Sequence, residues 1–169
     1  TRLLMVSWAS EMCIRDRSGG IKLLHENQHQ KELLINNYDL LPGFINETVR
    51  CVSPVIHMRR TSLIETEIGG QKIGPHEKIA LWYGAANRDP EIFDKPDEFN
   101  IQRENAEKHL AFGIGRHTCL GKPIALMQLN EFYSQFLKRF PDFEMNGEWK
   151  VAPNNFCLLY TSDAADEAI

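Results

Sequence analysis

The chain has 169 residues, 43% of them hydrophobic and 25% charged, with 19 basic against 23 acidic side chains. That length fits one domain, and that balance excludes a disordered or fibrous chain. A net charge of -4 excludes a basic field for wrapping nucleic acid or gripping an anionic membrane surface.

No run approaches the ~20 apolar residues of a membrane span, so no membrane anchor is expected in the covered sequence. Four cysteines, Cys13, Cys51, Cys119 and Cys157, are too sparse for a disulfide scaffold and suit a reducing, cytoplasmic compartment. The two ends differ from the middle. Residues 1–17 have neither helical nor strand periodicity, and residues 157–169 turn abruptly into a small-residue acidic tail. Their segments EMCIRDR and LLYTSDAADE read as in-frame translations of sequencing-adapter DNA joined to a gene fragment. Both are therefore expected to be non-native flanks around a native part spanning 18–156.

Ile21, Leu23 and Leu24, then Leu33, Leu34 and Ile35, stand in Glu-, Gln-, His- and Lys-rich sequence and predict two short amphipathic helices. Pro42-Gly43 opens a third, with Phe44, Thr48, Cys51 and Val52 as its inner stripe, and Pro54 stops it. Val55–Met58 predicts a strand, Thr61–Ile73 a hairpin turning at Gly69-Gly70, and Ile79–Tyr83 another strand. Between Ala86 and Glu107 a Pro-, Asp- and Asn-rich stretch predicts a long ordered loop. A last helix starts near Cys119 or Gly121, tolerates Pro123 in its first turn, and buries Ala125, Leu129, Phe132, Phe136 and Phe140.

Phe112-Gly113-Ile114-Gly115-Arg116-His117-Thr118-Cys119-Leu120-Gly121 is a glycine-rich loop that delivers one cysteine to a helix N-terminus. Glycines at 113, 115 and 121 allow positive φ and a close backbone approach to a flat ligand. The helix dipole favours a thiolate, which serves as a nucleophile or as an axial ligand to iron. Zinc does not fit, because only His117 lies nearby and two residues apart is a poor chelate. A lone cysteine is usually just a small buried hydrophobe. Against that, Phe, Gly, Cys and Gly at these offsets arise by chance on the order of once in a thousand such chains.

Phe112-x-x-Gly115-x-x-x-Cys119-x-Gly121 resembles the heme-binding loop of the cytochrome P-450 family, the heme-thiolate monooxygenases, and His117 resembles its soluble bacterial members. The resemblance implies a mainly α fold with a small antiparallel β component, the C-terminal part of the family's fold. It implies heme b (iron protoporphyrin IX), with Cys119 as axial iron ligand, Phe112 packed beside it, and Gly113, Gly115 and Gly121 lining the ring. Arg60 and His117 would meet the propionates. Period-two alternation sets Arg59 on the opposite face from Arg60. Glu47-x-x-Arg50 resembles the family's pair ahead of the sheet, which Arg103 in the long loop would join as scaffold. Asn87-Arg88-Asp89-Pro90 and His109-Leu110-Ala111-Phe112 resemble the bacterial branch, whereas Gly74-Pro75-His76-Glu77 departs from its usual turn.

The implied reaction inserts one oxygen atom of O2 into a small hydrophobic organic substrate, with electrons from a ferredoxin or similar donor docking near Arg116 and Lys122. Only the stretch Val55–Met58 is expected to touch substrate. The family's distal acid–alcohol pair would lie upstream of Ser18, so no proton-relay residue is assigned and the fragment alone is expected to be inactive. The alternative is a heme-thiolate protein that binds gas or carries electrons without oxygenating. A cysteine hydrolase is disfavoured, since no independent acid orients His117.

Overall fold

A computed structural model of the protein describes residues 15–147, together with the backbone of 150–152 and 159–161. Cys13 and Cys157 lie outside the described residues.

The architecture is mainly helical with small antiparallel sheets. Helix α1 occupies the described residues 15–26 and α2 runs Gln28–Asn36. Between them the Leu23 carbonyl accepts twice from Asn27, from its backbone N–H at 3.0 Å and from its side-chain amide at 2.8 Å, which closes the end of α1. A 3-10 turn (Tyr38–Leu40) leads into α3 (Leu41–Val52), with Pro42 in its first turn, where the missing N–H costs no hydrogen bond. Helix α3 is buried on almost every side. Leu41, Phe44, Ile45, Val49 and Val52 are buried as the apolar pattern requires, but so are Glu47, Thr48 and Arg50, while Cys51 is only half-buried. The helix ends at Ser53, which holds a left-handed φ of 43° and donates its N–H to the Val49 carbonyl. Pro54 follows and cannot continue the helix.

Strand β1 (His57–Thr61) pairs antiparallel with β4 (Lys78–Trp82), opposing His57 to Trp82. The strand expected over 55–58 therefore begins two residues later. Val55 makes only an isolated bridge and the Ile56 carbonyl accepts the Tyr83 N–H at 3.2 Å; the continuous ladder starts at His57, whose ring lies 5.0 Å from that of Trp82. Strands β2 (Thr66–Ile68) and β3 (Gln71–Ile73) form the hairpin, later than the expected start at Thr61 because Thr61 belongs to β1. Its two-residue turn, Gly69 at φ 57° and Gly70 at φ 80°, suits the right-handed twist of the strands. In the departing turn His76 takes a φ of 64°, and the Gly74 N–H donates to the Glu77 carboxylate at 3.1 Å.

Short helix α4 (Tyr83–Ala86) opens the long loop, which carries only 3-10 turns at Ala106–Lys108 and Gly115–His117 before α5 (Lys122–Arg139). Strand β5 (Lys150–Ala152) pairs antiparallel with β6 (Leu159–Thr161). The face that α5 buries is Ala125, Leu129, Tyr133 and Leu137, an unbroken i, i+4 row. Phe132 and Phe136 are half-buried and Phe140 is 56% exposed, so the aromatic stripe read from the sequence lies on the margin. Those aromatics pack on one another instead, with Phe136 stacked on Phe132 at 5.5 Å and tilted against Phe143 at 5.2 Å.

The core is the junction of α1, α3 and α5. Tyr133 meets Phe44 edge-on at 4.7 Å and donates its hydroxyl to the Asp16 and Arg17 carbonyls. Gly20 makes this approach possible, since a Cβ there would lie 2.0 Å from the Tyr133 oxygen. Residues 15–17, expected to belong to the leading flank, are thus helical, and Arg15 and Asp16 are buried. Among the described residues neither carboxylate oxygen of Asp16 has a hydrogen-bond partner, and burial pushes its carboxyl up to about 7 against the pull of Arg15.

Candidate functional site

The loop Phe112–Gly121 is shaped by short-range hydrogen bonds. The Cys119 N–H donates to the Phe112 carbonyl at 2.7 Å, closing the loop at its base. The Gly113 N–H donates to Leu110 at 2.8 Å, and the Gly115 carbonyl accepts both the N–H and the hydroxyl of Thr118. Gly113 and Gly115 take φ of 70° and 66°, a region where a side chain is strained. A Cβ at Gly113 would also lie 3.0 Å from the His117 carbonyl. Gly121 differs from the expectation: at φ -79° it begins α5 in a conformation open to any residue.

Cys119 is half-buried and free of any disulfide, one turn before α5, and its carbonyl accepts the Lys122 N–H at 3.2 Å. No hydrogen bond to its sulfur occurs among the described residues, nor does any cluster of three or more His, Cys, Asp or Glu that could hold a metal ion. Around the thiol, Ile114 (74% exposed) and Leu120 (83%) stand open to solvent, and Arg116, His117 and Thr118 are exposed. Phe112 is buried beside the loop with the Lys122 ammonium 5.7 Å from its ring centroid. A single half-buried thiol, exposed apolar side chains beside it, and two glycines at positive φ fit a heme.

Arg60 is half-buried while Arg59 is exposed, and the Arg60 guanidinium donates to the Arg59 carbonyl. No hydrogen bond among the described residues joins Arg60 to the cysteine loop.

The structure brings Glu47, Arg50 and Arg103 together in the core. Arg50 meets the carboxylate with two parallel bonds of 2.8 Å, and Arg103 Nε donates to the same group at 3.1 Å. The Asn100 N–H adds a fourth donor at 3.1 Å. Both guanidiniums then seize carbonyls of the long loop: Arg50 takes Asn87, Pro96 and Glu98, and Arg103 takes Asp94, Lys95 and Glu98. A segment almost without secondary structure is thereby fixed from inside. Burial works against the Arg50 charge, but the Glu47 carboxylate outweighs it and raises the guanidinium pKa. Burial together with the Glu47 charge pushes the neighbouring Cys51 thiol up to about 11, so Cys51 stays a neutral thiol.

Two polar residues gain roles that the sequence does not announce. Asn87 is fully buried, and its Oδ1 accepts the Leu110 N–H at 2.6 Å. His109 is buried against Phe112, and its Nδ1 accepts the Ala111 N–H at 3.3 Å, while Nε2 has no partner among the described residues. Burial, then the charges of Lys122 and Arg50, hold its pKa down at about 4. The sequence signal was only that both stand in recognisable motifs.

The family model described as Cytochrome P450 matches residues 22–160. Cytochrome P450-terp of a Pseudomonas species is 38% identical over 138 residues, which are 82% of this chain and 32% of that protein. Linalool 8-monooxygenase of Pseudomonas putida is 38% identical over 136 residues, 80% of this chain and 33% of the relative. Among solved structures, cytochrome P450-153 from Novosphingobium aromaticivorans superposes with a TM-score of 0.84 at 35% identity, over 89% of this chain and 38% of its own. The chain thus spans about a third of the length of the curated relatives it matches. Helix order, paired strands, cysteine loop and similarity agree: the chain belongs to the cytochrome P450 family.

Proposed function

We propose that the chain is the cysteine-ligand part of a heme-dependent monooxygenase, which inserts one oxygen atom of O2 into a small hydrophobic organic substrate. The observation that carries this reading is the Phe112–Gly121 loop, closed by the Cys119 N–H to Phe112 bond, with a half-buried free thiol near its end. The name of linalool 8-monooxygenase supports the reaction class. Heme b, when bound, supplies dioxygen activation; the chain's own residues hold and tune it.

Cys119 would give its thiolate to the iron, helped by its place before the first turn of α5. Phe112 would exclude water beside the sulfur, and Gly113, Gly115 and Gly121 would keep the backbone close to the ring. Arg60 and His117 would donate to the propionates. The supporting observations are that Arg60 is the less exposed of the two adjacent arginines and that His117 is open to solvent on the loop. Glu47, Arg50 and Arg103 act as scaffold. Electrons from a ferredoxin or similar carrier would enter over the face bearing Arg116, Lys122 and Leu120. Reversing the charge of Arg116 in the full-length protein is expected to slow its reduction by the carrier.

Full-length protein grown with ample hemin is expected to be coloured and, reduced under carbon monoxide, to show the red-shifted Soret band of a thiolate ligand. Cys119→Ala should abolish that band. A colourless wild type, or an unchanged band in the variant, overturns the reading.

A further inference from the structure

We propose that Asn87 is a positioning residue for the thiol: its side-chain amide carries the order of the Glu47–Arg50 cluster into the stretch 110–113, from which the Cys119 loop is hung. The placement of the loop stands on geometry alone. Only its meaning for heme ligation rests on the function proposed above.

Asn87 follows α4 and is fully buried, and every polar atom it owns is engaged. Its N–H donates to the Tyr83 carbonyl at 2.9 Å, and its carbonyl accepts from Arg50 Nη1 at 2.7 Å. Its Nδ2 donates to Ser53 Oγ at 2.8 Å, and that hydroxyl in turn donates to the Arg50 carbonyl at 2.8 Å. Its Oδ1 accepts the Leu110 N–H at 2.6 Å. Beyond Leu110 the bonds continue into the loop: the Leu110 carbonyl accepts Gly113, and the Phe112 carbonyl accepts Cys119. Residues on α3, α4 and the loop are thus joined by one amide that bridges 34 residues backward and 23 forward.

The chemistry of that amide is specific. The position needs a donor on one side, because the Ser53 hydrogen is already given to Arg50, and an acceptor on the other, because Leu110 offers an N–H. Asparagine supplies both in four heavy atoms. A carboxylate keeps the acceptor and loses the donor. An alkyl group loses both and leaves the part-buried Leu110 N–H without this acceptor.

The test reads the 169-residue chain by amide hydrogen exchange and by the alkylation rate of Cys119 with iodoacetamide, and the full-length protein by its reduced carbonyl spectrum. Asn87→Leu is expected to speed exchange at Leu110 and Gly113, and alkylation of Cys119, by about tenfold or more, the loss of roughly one buried hydrogen bond. Amides of the β1–β4 pair should not change. Asn87→Asp should restore protection at Leu110, since it retains the acceptor. In the full-length protein the leucine variant should lose part of the red-shifted band to a form without thiolate ligation, with total heme retained. Unchanged Leu110 and Gly113 exchange overturns the proposal, as does an equal rise at every amide with no rescue by aspartate. If the leucine variant does not fold, the aspartate variant decides: a Leu110 amide that exchanges without protection overturns the assignment. A full-length protein that never takes up heme refutes the function proposed above and leaves these exchange outcomes to be read separately.

Discussion

Gly113 and Gly115 share a backbone conformation but not an environment, and that difference separates two kinds of glycine in one loop. A methyl group at Gly115 meets nothing within 4 Å and adds only the strain of a left-handed φ, about 1 kcal/mol. At Gly113 the same strain is joined by contact with the His117 carbonyl at 3.0 Å, a backbone atom that cannot turn aside. Gly113→Ala is therefore expected to cost about 2 kcal/mol or more, and Gly115→Ala about half of that. Urea unfolding of the two variants checks the order. The loop was legible in the sequence because its signals are local: glycine punctuation, one cysteine and a helix beginning with Lys122-Pro123. The work of Asn87 and His109 was not, because a hydrogen bond across 23 residues leaves no trace in spacing.

At the scale of elements, α3 and the long loop are one device. The loop offers carbonyls and the helix offers a charged cluster buried to 0% exposure at Glu47 and Arg50. Removing one member leaves the others charged and unpaired in the interior, which is worth more than the pair itself contributes. Glu47→Ala, which strands two guanidiniums, is expected to lower stability by about 3 to 5 kcal/mol. Arg103→Ala, which leaves the Arg50 fork intact, should cost less. A double-mutant cycle followed by calorimetry should return a coupling well above that of a surface ion pair. The residue spacing 47, 50 showed that the pair shares a helix face, yet a Glu-x-x-Arg is most often solvated, and only the tertiary fold says which side is covered. The same reason misplaced the buried row of α5. Ala125 and Leu129 are buried as their spacing suggested, but from there the buried row continues through Tyr133, drawn inward by the carbonyls of α1, and Phe140 is left outside.

At the scale of the whole molecule, two buried titrating groups oppose each other. Asp16 holds its proton until about pH 7 in the folded chain but releases it near 3.8 when unfolded, so its contribution to stability falls as pH rises through that window. His109 stays neutral down to about pH 4 when folded but takes a proton near 6.5 when unfolded, so its contribution falls as pH drops through that window. Where the two windows overlap the slopes have opposite sign, each about 1.4 kcal/mol per pH unit at most, and they largely cancel. Asp16→Asn should unmask the histidine: the variant becomes markedly less stable between pH 6.5 and 4, where the parent is nearly flat. His109→Gln should unmask the carboxyl instead and lose stability between pH 4 and 7. Chemical denaturation across pH checks both. The molecule also leaves Leu120, just ahead of α5, and Ile124 and Met127 within it open, between 50% and 83% exposed. Exposed apolar side chains this close together favour association, and replacing all three with lysine should reduce dye binding and aggregation of the chain without loss of helix.

Ser53 carries a last consequence. Its backbone sits where glycine is at ease, and a rule that read only dihedral angles would recommend Ser53→Gly as a stabilising change at the foot of α3. The hydroxyl forbids it, because losing it would orphan both the Arg50 carbonyl and the Asn87 amide in a dry interior. Relief of about 1 kcal/mol would be set against a loss of about 1 to 3 kcal/mol, so the exchange should lower the melting temperature. The position refuses the very residue its own geometry invites.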